Sequence, residues 1–540
     1  MYQRKRLSIF VRALVLGITL LLFSACSHTT PAPTSASTSA KQKSFTKLPK
    51  GKAPLLSYLN NTDQKLGDYS AFHSLSEPRD AFAARIFLVD QAKTSLDVQY
   101  YIYKDDRTGN FFAYHLLKAA ERGVKVRILL DDLITSGKDK SWAMLASHPN
   151  IELRLFNPNL LRSSFRNMAL LFNINRLGKR MHNKTLIADG AAAIIGGRNI
   201  GDDYYAADKE TLFLDYDILA TGKVVPDIYR SFDLYWNSKE SVLSKEVLEG
   251  QFNTAEYHQA VKKLEKSAEV FRQSSIGKAM ARSDFAKNIF QGKVELTVAK
   301  RTDFYYDYPE KVNTDESDNR THISAQISAD LKHVSNDLII ISPYFIPSQE
   351  MMERLRVLRE NDVEITVITN SLASTDVFAV YSKYRWYIKD LVQIGVNLYE
   401  LKPKSFKKLI KSKKWIKSHQ TSLHTKMMII DQDHLVVGSA NIDPRSDKLN
   451  TELLLVVSSR KLAKEERTIL MEILGDENFY RVTWGKHPAY PGDDDVPTYG
   501  PVWHSIKNGK EKVYYTPPHS GYFRTLGTDI LSFLPIEGYL

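Results

Sequence analysis

Two stretches of this chain carry the same spacing of residues that could do chemistry. Met181-His182-Asn183-Lys184-Thr185-Leu186-Ile187-Ala188-Asp189-Gly190 and Leu423-His424-Thr425-Lys426-Met427-Met428-Ile429-Ile430-Asp431 both read His-x-Lys-x4-Asp. In extended backbone, residues i and i+2 point the same way, so each His and Lys project together while the apolar residues after them enter a core. Asp189-Gly190 and Asp431-Gln432 are turn-forming pairs. Both aspartates complete the motif and count with His182, Lys184, His424 and Lys426 as candidate catalytic residues, while their turn positions favour organising the strand end over touching phosphate. Beyond each turn comes Gly196-Gly197-Arg198-Asn199 or Gly438-Ser439-Ala440-Asn441. Glycine there lets backbone pass close to a ligand, and Asn199 and Asn441 offer amide donors to a substrate.

Two such motifs facing each other would surround a phosphodiester with two imidazoles, two ammonium groups and two amides. A neutral histidine can attack phosphorus while the other protonates the leaving oxygen. Lys184 and Lys426 offset the charge on the non-bridging oxygens, so no metal and no cofactor is required. Each imidazole needs an acceptor to hold its tautomer, and Asp215 and Glu452 are the candidates, each on the strand after its turn. One motif alone would be weak evidence, because His and Lys on a strand are usually plain surface or core residues. The repeat changes that. His182 and His424, Gly196 and Gly438, and Asn199 and Asn441 are each 242 positions apart.

The positioning elements repeat as well. Leu96–Ile102 reads as a buried strand, Phe111–Arg122 as a helix and Val124–Leu130 as a second strand; Leu338–Tyr344, Ser348–Glu360 and Val363–Thr369 repeat the order. Leu96 lies 86 positions before His182, and Leu338 lies 86 before His424. A strand-helix-strand unit implies a right-handed crossover, hence an α/β fold with a mixed, mostly parallel sheet flanked by helices. An offset held through strand and motif implies internal duplication, with the active site between two such domains.

Several stretches strengthen a resemblance: Leu96-Asp97-Val98-Gln99-Tyr100-Tyr101-Ile102, Gly196-Gly197-Arg198-Asn199-Ile200-Gly201-Asp202, Thr369-Asn370-Ser371-Leu372-Ala373, Asp443-Pro444-Arg445-Ser446 and Leu449-Asn450-Thr451-Glu452. Over roughly residues 70–480 the chain resembles the phospholipase D superfamily, and within it enzymes of cardiolipin synthase type. The resemblance implies a phosphatidyl-histidine intermediate resolved by an alcohol. It also implies His182 as nucleophile and His424 as acid, an order that local sequence leaves open. Expected substrates are phosphatidylglycerol and phosphatidylethanolamine at a membrane surface. Hydrolysis to phosphatidic acid is the alternative outcome, an envelope nuclease is less favoured, and no nucleic-acid partner is expected.

The remaining sequence bounds where this chemistry happens. Residues 1–25 hold Arg4, Lys5, Arg6 and Arg12, then a short apolar run, and Leu22-Phe23-Ser24-Ala25 precedes Cys26, the single cysteine. This reads as a lipoprotein-type signal peptide with Cys26 as the lipidated residue. The expectation is a bacterial envelope protein anchored by lipid, with the periplasmic face of the outer membrane favoured over the inner membrane. Residues 26–60 form a Ser/Thr/Ala/Pro-rich tether, 61–245 and 321–485 the two domains, 246–320 a charged connecting insert, and 486–540 a Pro- and aromatic-rich extension. The formal charge of +12 says nothing about fold but favours anionic partners. Asp131-Asp132 reads as a cap or solvated pair. Lys402–Lys417 is read as a solvated basic loop or an anionic-lipid contact, and Met168–Phe172 as a lid or core. The stretch from Tyr522 to Leu540 could form an amphipathic helix against membrane or pack on the body.

Overall fold

The computed structural model describes residues 66–133, 139–159, 178–208, 210–248, 253–315, 322–327, 334–405, 420–475, 477–488, 498–507 and 509–534. Cys26, the tether, Met168–Phe172 and all of the basic segment after Ser405 lie outside them.

The first half builds β1 (Ser70–Leu75), β2 (Ser95–Tyr100), β3 (Lys125–Asp131), β4 (Ile151–Phe156), β5 (Thr185–Ala188), β6 (Ala192–Gly196), β7 (Thr211–Leu214), β8 (Asp217–Gly222), β9 (Ser241–Leu243) and β10 (Thr297–Ala299). All but β7 form one nine-stranded sheet in the order β10-β1-β8-β6-β5-β2-β3-β4-β9. The second half builds β11 (Arg301–Tyr306), β12 (Asp337–Ile341), β13 (Glu364–Asn370), β14 (Asn397–Leu401), β15 (Gln420–Leu423), β16 (Met427–Ile430), β17 (His434–Gly438), β18 (Leu453–Ser458), β19 (Phe479–Lys486), β20 (Tyr499–Lys507) and β21 (Lys510–Tyr514). All but β15 form a ten-stranded sheet, β11-β18-β17-β16-β12-β13-β14-β19-β20-β21.

The strand-helix-strand units fall where periodicity places them: β2 and β3 run parallel, joined by the helix Arg107–Glu121, and β12 and β13 are joined by Gln349–Glu360. Asp106 caps the first helix by accepting from Gly109 N, and Ser348 caps the second by accepting from Met351 N. Both sheets are mixed, but the expectation of mostly parallel strands is corrected. Within the nine- and ten-stranded sheets only β2-β3-β4 and β12-β13-β14 are parallel, and the other pairs are antiparallel. Parallel neighbours need a long crossover, whereas the strands bearing the motifs return through tight hairpins.

The two sheets pack face to face. Ile187, Ala193 and Ile195 of the first and Ile429, Leu435 and Val437 of the second share one buried cluster, while the alternate residues Leu186 and Ile194 face helices on the outer side. Strands buried on both faces explain the continuous apolar runs. The connecting segment is divided between the halves. Leu264, Ala268 and Phe271 of the helix Thr254–Gln273 join the first core, and the chain then adds β10 to one sheet and β11 to the other. The C-terminal extension continues the second sheet as β20 and β21, and ends in the helix Tyr522–Ser532.

Candidate active site

Each motif is held at the interface by backbone pairing with the other half. β15, which leads into His424, runs parallel to β7 of the first half, and His424 N donates to Leu214 O at 2.7 Å. Reciprocally, His182 N donates to Thr451 O and Thr451 N donates to Arg180 O, each at 2.9 Å. The residues just after these contacts, Asp215 and Glu452, are therefore delivered to the opposite histidine. His424 Nδ1 donates to Asp215 Oδ2 at 2.6 Å, and His182 Nδ1 lies 2.9 Å from both Glu452 oxygens. An ionised carboxylate only accepts, so Nδ1 carries the hydrogen and Nε2 keeps its lone pair. The pairing is crossed: the partners are 270 and 209 residues apart.

The lysines are buried beside the histidines. Lys184 donates to His182 O; Lys426 donates to His424 O at 2.5 Å and its Nζ lies 3.2 Å from His424 Nδ1. Tyr101 meets the His182 ring edge-on, and Tyr204 and Phe213 flank His424. Burial in this apolar surround, with Lys184 and Lys426 close by, holds His182 well below its usual pKa. Burial and Lys426 also lower His424, against the pull of Asp215. Burial brings Lys184 down to about 7 and raises Glu452 to about 7, although the two attract. Lys426 is likewise lowered by burial. Burial would raise Asp215, but His424 and Lys426 outweigh it and hold it below the ordinary carboxylate value. The two halves are thus electrostatically unequal: the carboxylate facing His424 is held below its ordinary pKa, and the one facing His182 is raised to about 7.

The other predicted residues sit differently. Asp189 and Asp431, both in positive-φ turns, are outside the constellation. Asp189 accepts from Lys93 N, Thr94 N, Thr94 Oγ1 and Ser95 N at 2.7–3.1 Å, tying its hairpin to the start of β2. Asp431 repeats this on Ser335, Asn336 and Asp337 before β12. Asn199 is spent inside the fold: its Oδ1 accepts from Ile102 N at 3.0 Å and its Nδ2 donates to Tyr204 Oη at 2.7 Å. Asn441 differs, because its buried Oδ1 has no hydrogen-bond partner among the described residues. The glycines answer the protein rather than a ligand. A Cβ on Gly197 would lie 2.2 Å from Asp215 Oδ1, and one on Gly438 would lie 2.1 Å from Leu453 O, so their absence lets each carboxylate-bearing segment close.

Sequence reasoning missed the layer beneath the histidines. Asp131 is buried and paired with Arg180, and it accepts from Met181 N at 2.9 Å; Asp132 is also buried and accepts from Asn159 N. Neither is solvated. At the corresponding end of β13, Asn370 holds Leu423 through both N–H and C=O. Asp307 accepts from Glu452 N at 2.8 Å and from Lys311 Nζ at 2.9 Å. One signal for Asp131 and Asn370 was available, since each ends the strand after the helical crossover.

A sequence model described as "Cardiolipin synthase, PLD-like domain" matches residues 86–236 and 327–474, one copy on each half. Cardiolipin synthase C of Escherichia coli K12 is 34% identical over 482 residues, spanning 86% of this chain and 95% of that protein. The chain belongs to the phospholipase D-like cardiolipin synthase family. As a member, it is an enzyme of the phospholipase D superfamily, a phosphatidyltransferase. An uncharacterized protein of Helicobacter pylori 26695 is also 34% identical, over 87% of this chain and 89% of its own. The major cardiolipin synthase of Bacillus subtilis is 24% identical over 72% of this chain. A crystal structure of phosphatidylserine synthase from Haemophilus influenzae superposes with TM-score 0.51 at 13% identity, covering 77% of this chain and 90% of that one, a likeness of fold.

Proposed function

We propose that this family member moves a phosphatidyl group from phosphatidylglycerol or phosphatidylethanolamine to a hydroxyl of phosphatidylglycerol, forming cardiolipin through a phosphohistidine. The observation that carries the reading is the pair of crossed His-carboxylate contacts with a buried lysine beside each. His182, kept neutral by burial and two lysines, attacks phosphorus through Nε2. The P–O bond to the headgroup breaks as His424, whose imidazolium the ionised Asp215 favours, gives its proton to the leaving oxygen. The acceptor hydroxyl then returns its proton to His424 as its oxygen displaces His182 from phosphorus. Lys184 and Lys426 hold the non-bridging oxygens throughout.

Water can resolve the same intermediate, which gives phosphatidic acid, so product identity is the test. With phosphatidylglycerol vesicles, cardiolipin is expected as the main product, and His182→Ala and His424→Ala each abolish turnover. Phosphatidic acid dominating at every acceptor concentration overturns transfer. A histidine variant that keeps more than a small residue of activity overturns the two-histidine mechanism. Anchoring through a lipidated Cys26 in the cell envelope belongs to the same proposal. Cys26→Ser should abolish acylation and leave the chain unprocessed or released on fractionation; an unacylated cytosolic wild type removes it.

A further inference from the structure

The C-terminal helix Tyr522–Ser532 is docked with its sides reversed. Phe523, Leu526 and Ile530, with the C-cap Phe533, follow the i, i+3, i+7, i+10 spacing of a single helical face, and they are 86%, 42%, 51% and 81% exposed. Thr528 and Ser532, on the other side, are 1% and 7% exposed. A helix that packs for hydrophobic gain does the opposite. Here polar contacts hold it: Lys383 Nζ donates to Ser532 O at 3.0 Å and to Leu534 O at 2.6 Å, and Arg385 pairs with Asp529. Gly527 lies against the Phe378 ring, where a Cβ would come within 3.2 Å, so the helix seats closely on Phe378–Tyr384.

This ridge adjoins the catalytic centre. Arg524 donates to Thr375 O, and the preceding Ser374 donates to Asn370, which in turn holds Leu423 beside His424. Phe378, exposed and seated against Gly527, continues the apolar surface on the element that receives the helix, and the exposed Trp386 follows two residues after that element. We infer that this ridge is a bilayer-insertion surface, in which Phe523, Leu526, Ile530 and Phe533 enter the acyl-chain boundary and bring the catalytic mouth to its lipids. Three observations select a bilayer as the occupant. The apolar face is raised outward, two of its four residues are aromatic, and without the four basic residues of 1–25 the chain keeps a net charge of +8 (+12 less four), which suits an anionic surface. The inference rests on the reading that the substrates are phospholipids, and it adds where the bilayer is met.

The test uses the full-length chain on vesicles of phosphatidylglycerol and phosphatidylethanolamine. Cys26 is the single cysteine, so Phe523→Cys or Phe533→Cys adds one thiol for an environment-sensitive fluorophore, with labelled wild type as background and Val270→Cys as the exposed control on the far helix Thr254–Gln273. Lipids with a nitroxide near the headgroup end should quench the labels at 523 and 533, not at 270. Equal quenching at all sites, or none, overturns the inference. A label shift without lipid that accompanies self-association in sedimentation also overturns it, in favour of a second copy. The double variant Phe523→Asp/Phe533→Asp should lose roughly tenfold or more in turnover on vesicles while keeping turnover on monomeric short-chain phosphatidylglycerol. Equal loss on both forms makes the helix a structural brace. Wild type yielding no cardiolipin from either lipid form refutes the proposed reaction instead, and the quenching still reports the surface.

Discussion

Asp215→Asn isolates the leaving-group half of the reaction. The substitution keeps the shape that closes over Gly197 and removes only the charge facing His424 Nδ1 at 2.6 Å. Burial and Lys426 already press His424 toward the neutral form, and Asp215 is the main opposing pull. Without that carboxylate the imidazolium falls further, and Nε2 no longer holds a proton for the departing alkoxide. General-acid help is worth ~10²–10⁴-fold, or about 3–5.5 kcal/mol of barrier, so that is the expected loss in headgroup release from phosphatidylglycerol. The assay is a rapid-mixing burst compared between two donors: phosphatidylglycerol, whose alkoxide needs protonation, and phosphatidyl-p-nitrophenol, whose leaving group departs as its anion. Asp215→Asn should lose much less with the second. Glu452→Gln, which acts through the attacking His182, should lose equally with both. The same loss for both donors in Asp215→Asn refutes the acid role of His424 and the polarity drawn from the unequal carboxylates.

Three further outcomes follow from particular contacts. Lys184 sits at about 7 in the substrate-free enzyme, so its charge is present below that pH and lost above it. kcat/KM on monomeric substrate should then fall on the alkaline side near pH 7, and Lys184→Arg, at whatever activity it retains, should abolish that limb; a limb unchanged in the variant rules out Lys184 as its source. Asp189→Ala strands several backbone donors at the start of β2 and should cost roughly 2–4 kcal/mol in denaturant unfolding. The folded fraction should keep kcat within several-fold, and loss of kcat with unaltered stability would place Asp189 in the chemistry after all. Because Lys184 and Lys426 supply the charge facing phosphate, activity should survive EDTA when lipid presentation is held constant; complete loss restored by Mg²⁺ or Ca²⁺ would contradict the proposed charge balance.

Much of the α/β architecture was legible because it rests on local periodicity. Leu96–Ile102, apolar but for the buried Asp97 and Gln99, and the apolar run Leu338–Ile341 are each followed by a helix with a polar cap, and each pairs in parallel with the strand after that helix. The over-estimate of parallel pairing came from extending that unit to the whole sheet, when the motif strands are hairpins. Within the candidate site, the histidines and lysines were legible as a repeated pattern, and so was the turn role of Asp189 and Asp431. Asn199 was not. Its amide satisfies Ile102 N and Tyr204 Oη, partners 97 and 5 residues away, and nothing in the local spacing announces the first.

The division has a physical cause. The sequence alone determined the duplication, because residue types repeat at 242 positions through strand, motif and turn. That register breaks just where the halves meet: Asp215 and Glu452 are 237 apart, the first lying 16 residues past Asn199 and the second 11 past Asn441. Only the tertiary structure decided which carboxylate serves which histidine. The choice follows from β7 pairing with β15 and from Thr451 with His182, contacts made when two separately patterned sheets pack face to face. Tertiary contacts inside each half likewise spend Asn199, bury Asp131 and Asp132, and turn the apolar face of the last helix outward. Local pattern specifies what each strand buries, whereas the partners of a buried polar group are set by whatever segment arrives opposite it.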